Sequence, residues 1–354
     1  MNNIEKIKQT LHEQEYDAIL LTDPINRLYA TGFSSESGVL LITEDKAWFY
    51  TDSRYIEAAG AAIKGADILE ATIDTPYAEQ IKTTLAGYGI TTIGLEDSSL
   101  TYSKYLDWEQ KLELKAIPLK NHLTGLRMTK SADDLEQIKK AQRIAEKSFE
   151  EILPLVSVDI TEKELAAELL YRFLKNGADD KSFDTIVVSG PKSSMPHGEP
   201  EDIRIGKGFL TIDFGARLNG WCSDTTRTLC IGEPDEEMIK VYDTVLKAQE
   251  AGIKAARAGI GACEVDAAAR VVIENAGYGE YFGHGFGHGI GLEVHETPTV
   301  AASSKDILPA GAVISAEPGI YLPGHYGVRI EDLLHITETG CDNITNLPKK
   351  LIVL

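Results

Sequence analysis

Short apolar runs alternate with amphipathic stretches over residues 1 to about 126. Asp17–Leu21, Val39–Ile42 and Ala47–Tyr50 predict buried strands, and Ile4–Glu15 and Tyr77–Tyr88 predict helices between them. The pattern predicts a small α/β domain with no clustered His or Cys. A boundary near Gly125–Lys130 divides residues 1–126 from 127–354. Beyond it, Ser131 with Asp134 is an N-cap signal. Apolar positions Leu135, Ile138, Ala145, Phe149 and Ile152 then follow at helical spacing until Pro154. Thr161 with Glu164 opens a second helix, ended by Asn176-Gly177. A strand-rich stretch follows, with Ser182–Ser189, Phe209–Phe214 and Trp221–Ile231.

The same order then recurs. Asp235 opens a helix through Met238, Tyr242, Val245 and Ile253, Glu264 begins another ended by Gly277, and strands return. Asp213 precedes Glu317 by 104 positions and Asp224 precedes Glu331 by 107; His197-Gly-Glu-Pro200 precedes His295-Glu-Thr-Pro298 by 98. A near-constant offset of helices, acids and H-x-x-P elements predicts two structural halves related by a pseudo-twofold axis, too few for a solenoid. Helices grouped against antiparallel hairpins predict an α+β layer with strands curving around a cleft.

The polar residues inside these apolar strands carry the chemistry. A four-residue loop over Arg217–Gly220 sets Asp213 directly opposite Asp224; a two-residue Asn219-Gly220 turn shifts the register by two and keeps both on one face. Flanking Leu210, Ile212, Phe214 and Trp221 point to burial, where two facing carboxylates must share a proton or bind cations. Ala312–Glu317 and Val328–His335 read as two strands with Pro318-Gly319 as a turn signal, which puts Glu317 and Glu331 on opposing arms. In Gly283–Gly291 a glycine stands at every second position. An extended conformation therefore projects His284 and His288 to one face and leaves the other bare for close backbone approach. Gly285 and Gly287 disfavour a helical zinc pair, and no H-E-x-x-H glutamate is present. Asp213-Phe-Gly215 matches a kinase tripeptide, but no accompanying nucleotide loop or catalytic-loop motif supports it. Four carboxylates and an imidazole favour borderline-to-hard cations: Mn²⁺ first, then Co²⁺ or Zn²⁺. Two dications balance the four acids, and water between two such ions ionises near neutral pH.

Composition removes several alternatives. The 354 residues, 43% hydrophobic and 25% charged, fit a soluble two-domain protein. A net charge of −20 opposes binding to nucleic acid or an anionic membrane. Cys222, Cys230, Cys263 and Cys341 form no C-x-x-C pair, consistent with reduced thiols in a cytoplasmic protein. Met1–Gln14 lacks the apolar core of a signal peptide, and the apolar runs are too short to span a bilayer.

The ordered set Asp213, Asp224, His288, Glu317 and Glu331 resembles the ligand set of the pita-bread metallopeptidases. The strings T-I-D-F-G, S-D-T-T-R-T, G-H-G-I-G-L-E-V-H-E, A-E-P-G-I-Y and G-V-R-I-E-D resemble the Xaa-Pro branch, aminopeptidase P and prolidase. Asp23–Phe33 and Thr51–Tyr55 resemble its creatinase-like N-terminal domain. The resemblance implies an α/β creatinase-like domain over 1–126 and an α+β pita-bread domain over 127–354, with a curved antiparallel sheet covered by helices. It implies that Asp213 chelates one metal, Asp224 and Glu331 bridge both, and His288 and Glu317 complete the shells, with Glu317 also moving the proton. It further implies that His197 and His295 bond substrate and oxyanion, His284 lines the proline pocket, and Arg329 orients a carboxylate. The implied activity is removal of an N-terminal residue from peptides with proline second, as an Xaa-Pro aminopeptidase, by a hydroxide bridging two divalent ions. The alternative is an Xaa-Pro dipeptidase; methionine aminopeptidase fits the N-terminal domain less well. A non-catalytic pita-bread binding protein is disfavoured because all five ligands are present. The implied assembly is a homodimer, with residues around Thr51–Tyr55 packing on a second subunit.

Overall fold

The computed structural model describes residues 3–354; Met1 and Asn2, the start of the stretch compared with a signal peptide, lie outside the described residues. The chain forms two compact units, one ending at Arg127 and one beginning at Met128.

The first unit is a six-stranded mixed sheet in the order Asp67–Glu70, Ala47–Thr51, Val39–Thr43, Ala18–Leu21, Thr92–Leu95, Lys115–Pro118. The three strands expected from sequence lie in its interior, because only an element covered on both faces reads as a continuous apolar run. The two edge strands are half exposed, and their charged residues conceal them in the sequence. The first helix, Ile4–Leu11, stops short of the expected Glu15. Sequence reading also passed over the helix Pro24–Thr31. Its signals are Asp23 accepting from the amides of Ile25 and Asn26, Pro24 in the first turn, and Gly32 closing it at φ 71°.

In the second unit the four expected helices form at Ala132–Ile152, Glu162–Lys175, Glu236–Ala255 and Ala262–Asn275. Ser131 with Asp134, and Thr161 with Glu164, make reciprocal capping boxes. The fourth helix begins two residues before Glu264, because the Glu264 carboxylate reaches back to the Gly261 amide at 3.1 Å. Each helix pair covers its own core. Phe149, Leu165, Leu169 and Phe173 pack with Ile212, Phe214 and Leu229 in one half. Val241, Val245, Ala269 and Ile273 pack with Ile314, Ile320, Val328 and Leu334 in the other. Burying each large apolar side chain contributes about 1.5–3 kcal/mol, and Phe149 stacks on Phe214 with ring centroids 5.0 Å apart. The scaffold beneath the acids is therefore rigid.

Both hairpins that carry the acids are interrupted at the acids. In the first, Gly208–Phe214 pairs with Thr225–Ile231, and Ala216–Leu218 pairs with Trp221–Cys222 around Asn219-Gly220. Asn219 and Gly220 have φ of 52° and 83°, as a two-residue turn of this hand requires. The four-residue loop is thus replaced by the two-residue turn. Asp213 faces Thr226 rather than Asp224, and Asp224 lies in the gap between strands. In the second hairpin Ala316 pairs with Asp332 and Gly319 with Arg329, so Glu317 and Glu331 face one another across an unpaired gap. Pro318-Gly319 marks that gap and not a reversal, which comes after Leu322. There the Glu317 amide bonds the Phe286 carbonyl and the Glu331 amide bonds the Thr226 carbonyl, so each acid is held by a different segment of the chain.

Candidate active site

These gaps open into a cleft of about 530 Å³, within the range of small-molecule sites. Asp213, Asp224, His197, His284, His288, His295, Glu317, Arg329 and Glu331 all line it. Phe183, Ile186, Pro196 and Val294 supply apolar wall. The alternating glycines are explained by contact: a Cβ at Gly287 would lie 2.1 Å from the Ser315 carbonyl oxygen, and one at Gly289 2.3 Å from that of Thr297. Only glycine lets this strand approach its neighbours closely enough to bring His288 to the acids.

One ligand atom each from Asp224, His288 and Glu331 lies within 4.8 Å of the other two. His288 Nε2 is 3.2 Å from Glu317 Oε1 and 3.7 Å from Asp224 Oδ2. Its Nδ1 is 3.0 Å from the Gly289 carbonyl, which can only accept, so Nδ1 carries the proton and Nε2 faces the acids. That bond orients Nε2 toward the acids, as a metal-ligating imidazole needs. Asp213 gives Oδ2 to Arg329 Nη2 at 2.7 Å, and its buried Oδ1 has no hydrogen-bond partner. An unpartnered buried carboxylate oxygen beside three other acids fits a cation donor set.

The electrostatics agree. Burial, then the charges of Glu331 and Asp213, push Asp224 well above the carboxylate range. Burial, then Glu317 and Asp213, do the same to Glu331. Burial opposes ionisation of Glu317, yet its hydrogen bond to His288 and the nearby positive charges bring it down to about 2. Burial lowers His288, but the Glu317 bond and charge prevail and raise it. Burial first, then the charge of His288, lower His295. Burial also lowers His284, leaving a neutral ring whose Nδ1–H donates to the Gly285 carbonyl at 2.8 Å.

A linkage prediction follows from the signs. Asp224 and Glu331 are raised from ordinary values of 3.8 and 4.5, and His288 from 6.5, so above those values the metal-free fold binds more protons than the unfolded chain. These groups therefore lose their stabilising contribution as pH rises, while a bound cation favours their deprotonated forms. The rise in Tm caused by saturating Mn²⁺ is expected to grow between about pH 6 and about pH 8. Comparing loaded and chelated protein at each pH cancels the titration of remote groups; a pH-independent rise would contradict this reading.

Two further site residues escaped the sequence reading. The Tyr321 hydroxyl accepts from Arg329 Nη1 and lies 2.9 Å from His284 Nε2, so it joins the arginine to the histidine. Its position in A-E-P-G-I-Y was the available signal, but an aromatic residue in a strand reads as core. The Thr226 hydroxyl contacts both Glu331 and Arg329. It was hidden within S-D-T-T-R-T.

The description metallopeptidase family M24 matches residues 136–338, and the creatinase/prolidase N-terminal domain matches residues 3–129. The chain belongs to metallopeptidase family M24. Its M24 domain has the pita-bread fold and its N-terminal domain is creatinase-type, as the resemblance implied. The Xaa-Pro dipeptidase of Pyrococcus furiosus is 36% identical over 352 residues, spanning 99% of each chain. The solved Xaa-Pro dipeptidase from Bacillus anthracis is 40% identical with a TM-score of 0.96, covering 99% of each. The solved X-Pro aminopeptidase from Thermotoga maritima is 36% identical with a TM-score of 0.92, covering 98% of this chain and 100% of that one. M24 chemistry is metal-dependent peptide hydrolysis, and the Asp224, His288 and Glu331 cluster is a suitable place for its cations. Among the described residues no helix is long and apolar enough to cross a membrane.

Proposed function

We propose that this M24 protein hydrolyses the bond between an N-terminal residue and a following proline, with Xaa-Pro dipeptides as its substrates. The observation that carries the peptidase reading is the set of buried acids around His288, whose Nδ1 bond to the Gly289 carbonyl aims Nε2 at them. The dipeptide form rests on the names of relatives 36% and 40% identical over nearly the whole chain. This departs from the aminopeptidase form favoured by sequence. That form stays as the second reading because a relative of the same fold is an X-Pro aminopeptidase.

Asp213, Asp224, His288, Glu317 and Glu331 would hold the divalent ions, with Mn²⁺ the favoured metal and Co²⁺ or Zn²⁺ the others. When bound, two such ions polarise the scissile carbonyl and supply an activated water. The Xaa-Pro bond is a tertiary amide with no N–H, so a site that grips the scissile amide proton cannot use it. The chain's own groups act elsewhere on the substrate. His295, with its pKa lowered, is a neutral donor for the developing oxyanion, and His197 stands in the same cleft to bond the substrate. Glu317, whose carboxylate lies 3.2 Å from His288 Nε2 in the cleft, would move the proton to the departing proline nitrogen. His284, fixed by Tyr321 and Gly285, forms wall for the proline ring. Arg329 holds Asp213.

The test is kcat/KM for Xaa-Pro against Xaa-Pro-Yaa with the same first residue. At least about tenfold preference for the dipeptide, equivalent to about 1.4 kcal/mol in the transition state, is expected. The reverse preference would return the assignment to the aminopeptidase form, and turnover of neither would remove both.

A further inference from the structure

We propose that Thr226 is a positioning residue of the metal site, its hydroxyl setting the orientation of the Glu331 and Asp213 carboxylates; this rests on the ligand assignment above. Thr226 is fully buried, two residues beyond Asp224 on the strand Thr225–Ile231 and opposite Asp213. Its oxygen lies 3.0 Å from Arg329 Nε and 2.7 Å from Glu331 Oε2. The guanidinium donates to the hydroxyl, and the hydroxyl donates its own proton to Glu331. Arg329 in turn donates to Asp213 Oδ2 at 2.7 Å. One hydroxyl therefore links two of the proposed ligand carboxylates, and a single donor on Oε2 leaves the other lone pairs of Glu331 for a cation.

Glu331 needs such support because it sits in the gap between Tyr326–Arg329 and Asp332–Ile336. Thr226 and Arg227 grip it at three points. The Thr226 carbonyl accepts the Glu331 amide at 3.1 Å, and the Thr226 hydroxyl holds the carboxylate. Arg227, on the opposite face of the strand, donates to the Glu331 carbonyl at 2.6 Å and to Asp332 Oδ1 at 2.8 Å. The backbone is thus fixed from behind, and the hydroxyl alone sets the side chain.

Thr226→Val keeps the β-branch and volume but deletes the hydroxyl; Thr226→Ser keeps the hydroxyl. In Mn²⁺ isotherms on the whole protein, Thr226→Val should bind at least one ion about 10- to 100-fold more weakly, the range for groups that orient metal ligands. Its Tm in chelator should stay near wild type, and Thr226→Ser should recover most of the affinity. Equal affinity in Thr226→Val and wild type, or Thr226→Ser as weak as Thr226→Val, overturns the proposal. Should Thr226→Val not fold, Thr226→Ala takes its place in the same isotherm, with the same outcomes deciding. Wild-type protein that binds no Mn²⁺ would sink the ligand assignment itself, an outcome told apart by its appearance in the unmodified chain.

Discussion

Asp224→Ala protein should fold, fail to load its metals and lose at least about a thousandfold in turnover, because the cations supply several kcal/mol of transition-state stabilisation and each 1.4 kcal/mol is tenfold. Asp224 is 5% exposed and lies in the interrupted hairpin, within reach of both His288 and Glu331. Its pKa is raised by burial and then by Glu331 and Asp213, so in the metal-free protein it is a source of repulsion. Removing it should leave the chelated protein no less stable than wild type in chelator, while the stabilisation by Mn²⁺ disappears. A merely structural aspartate would give the opposite pair of results: a lower Tm in chelator and an unchanged metal response. Wild-type turnover by the purified variant, with its metal content measured, would end the assignment.

His295→Ala should behave differently. The ring lies edge-on to His288, with centroids 4.4 Å apart, at the mouth of the metal cluster rather than within it. Its carboxylate neighbours can hold their ions without it. The variant should therefore keep its metal content and lose about 10²–10³ in kcat, the cost of one oxyanion donor. KM should change little, because the bond forms only as charge develops on the oxygen. An unchanged turnover number on an Xaa-Pro substrate would remove His295 from the chemistry. Loss of metal together with activity would reassign it to the ligand set.

Much of the site was legible because each acid is a polar residue inside an apolar strand and the spacing repeats. The strand period of two made that reading independent of register: either turn at Arg217–Gly220 keeps Asp213 and Asp224 on one face. For the same reason the sequence could not choose between the two turns, and the structure selects Asn219-Gly220. Pro318-Gly319 misled for another reason. Gly319 packs under Tyr321, where an added Cβ would lie 2.5 Å from the hydroxyl oxygen, so the glycine answers a packing demand rather than a chain reversal. The interruptions that place Glu317 and Glu331 depend on partners far away in sequence, Phe286 and Thr226, and no local pattern encodes those bonds. In the N-terminal unit three covered strands were readable, while the interior strand Thr92–Leu95 and the half-exposed edges, Asp67–Glu70 and Lys115–Pro118, were not.

The most direct test of the account is an anomalous difference map from crystals of this protein grown or soaked with Mn²⁺. The account predicts two peaks in the cleft, within bonding distance of Asp213, Asp224, His288, Glu317 and Glu331 and with His288 coordinating through Nε2. A fully active crystal-grade preparation without density between these side chains, or with its ions bound elsewhere, would contradict it.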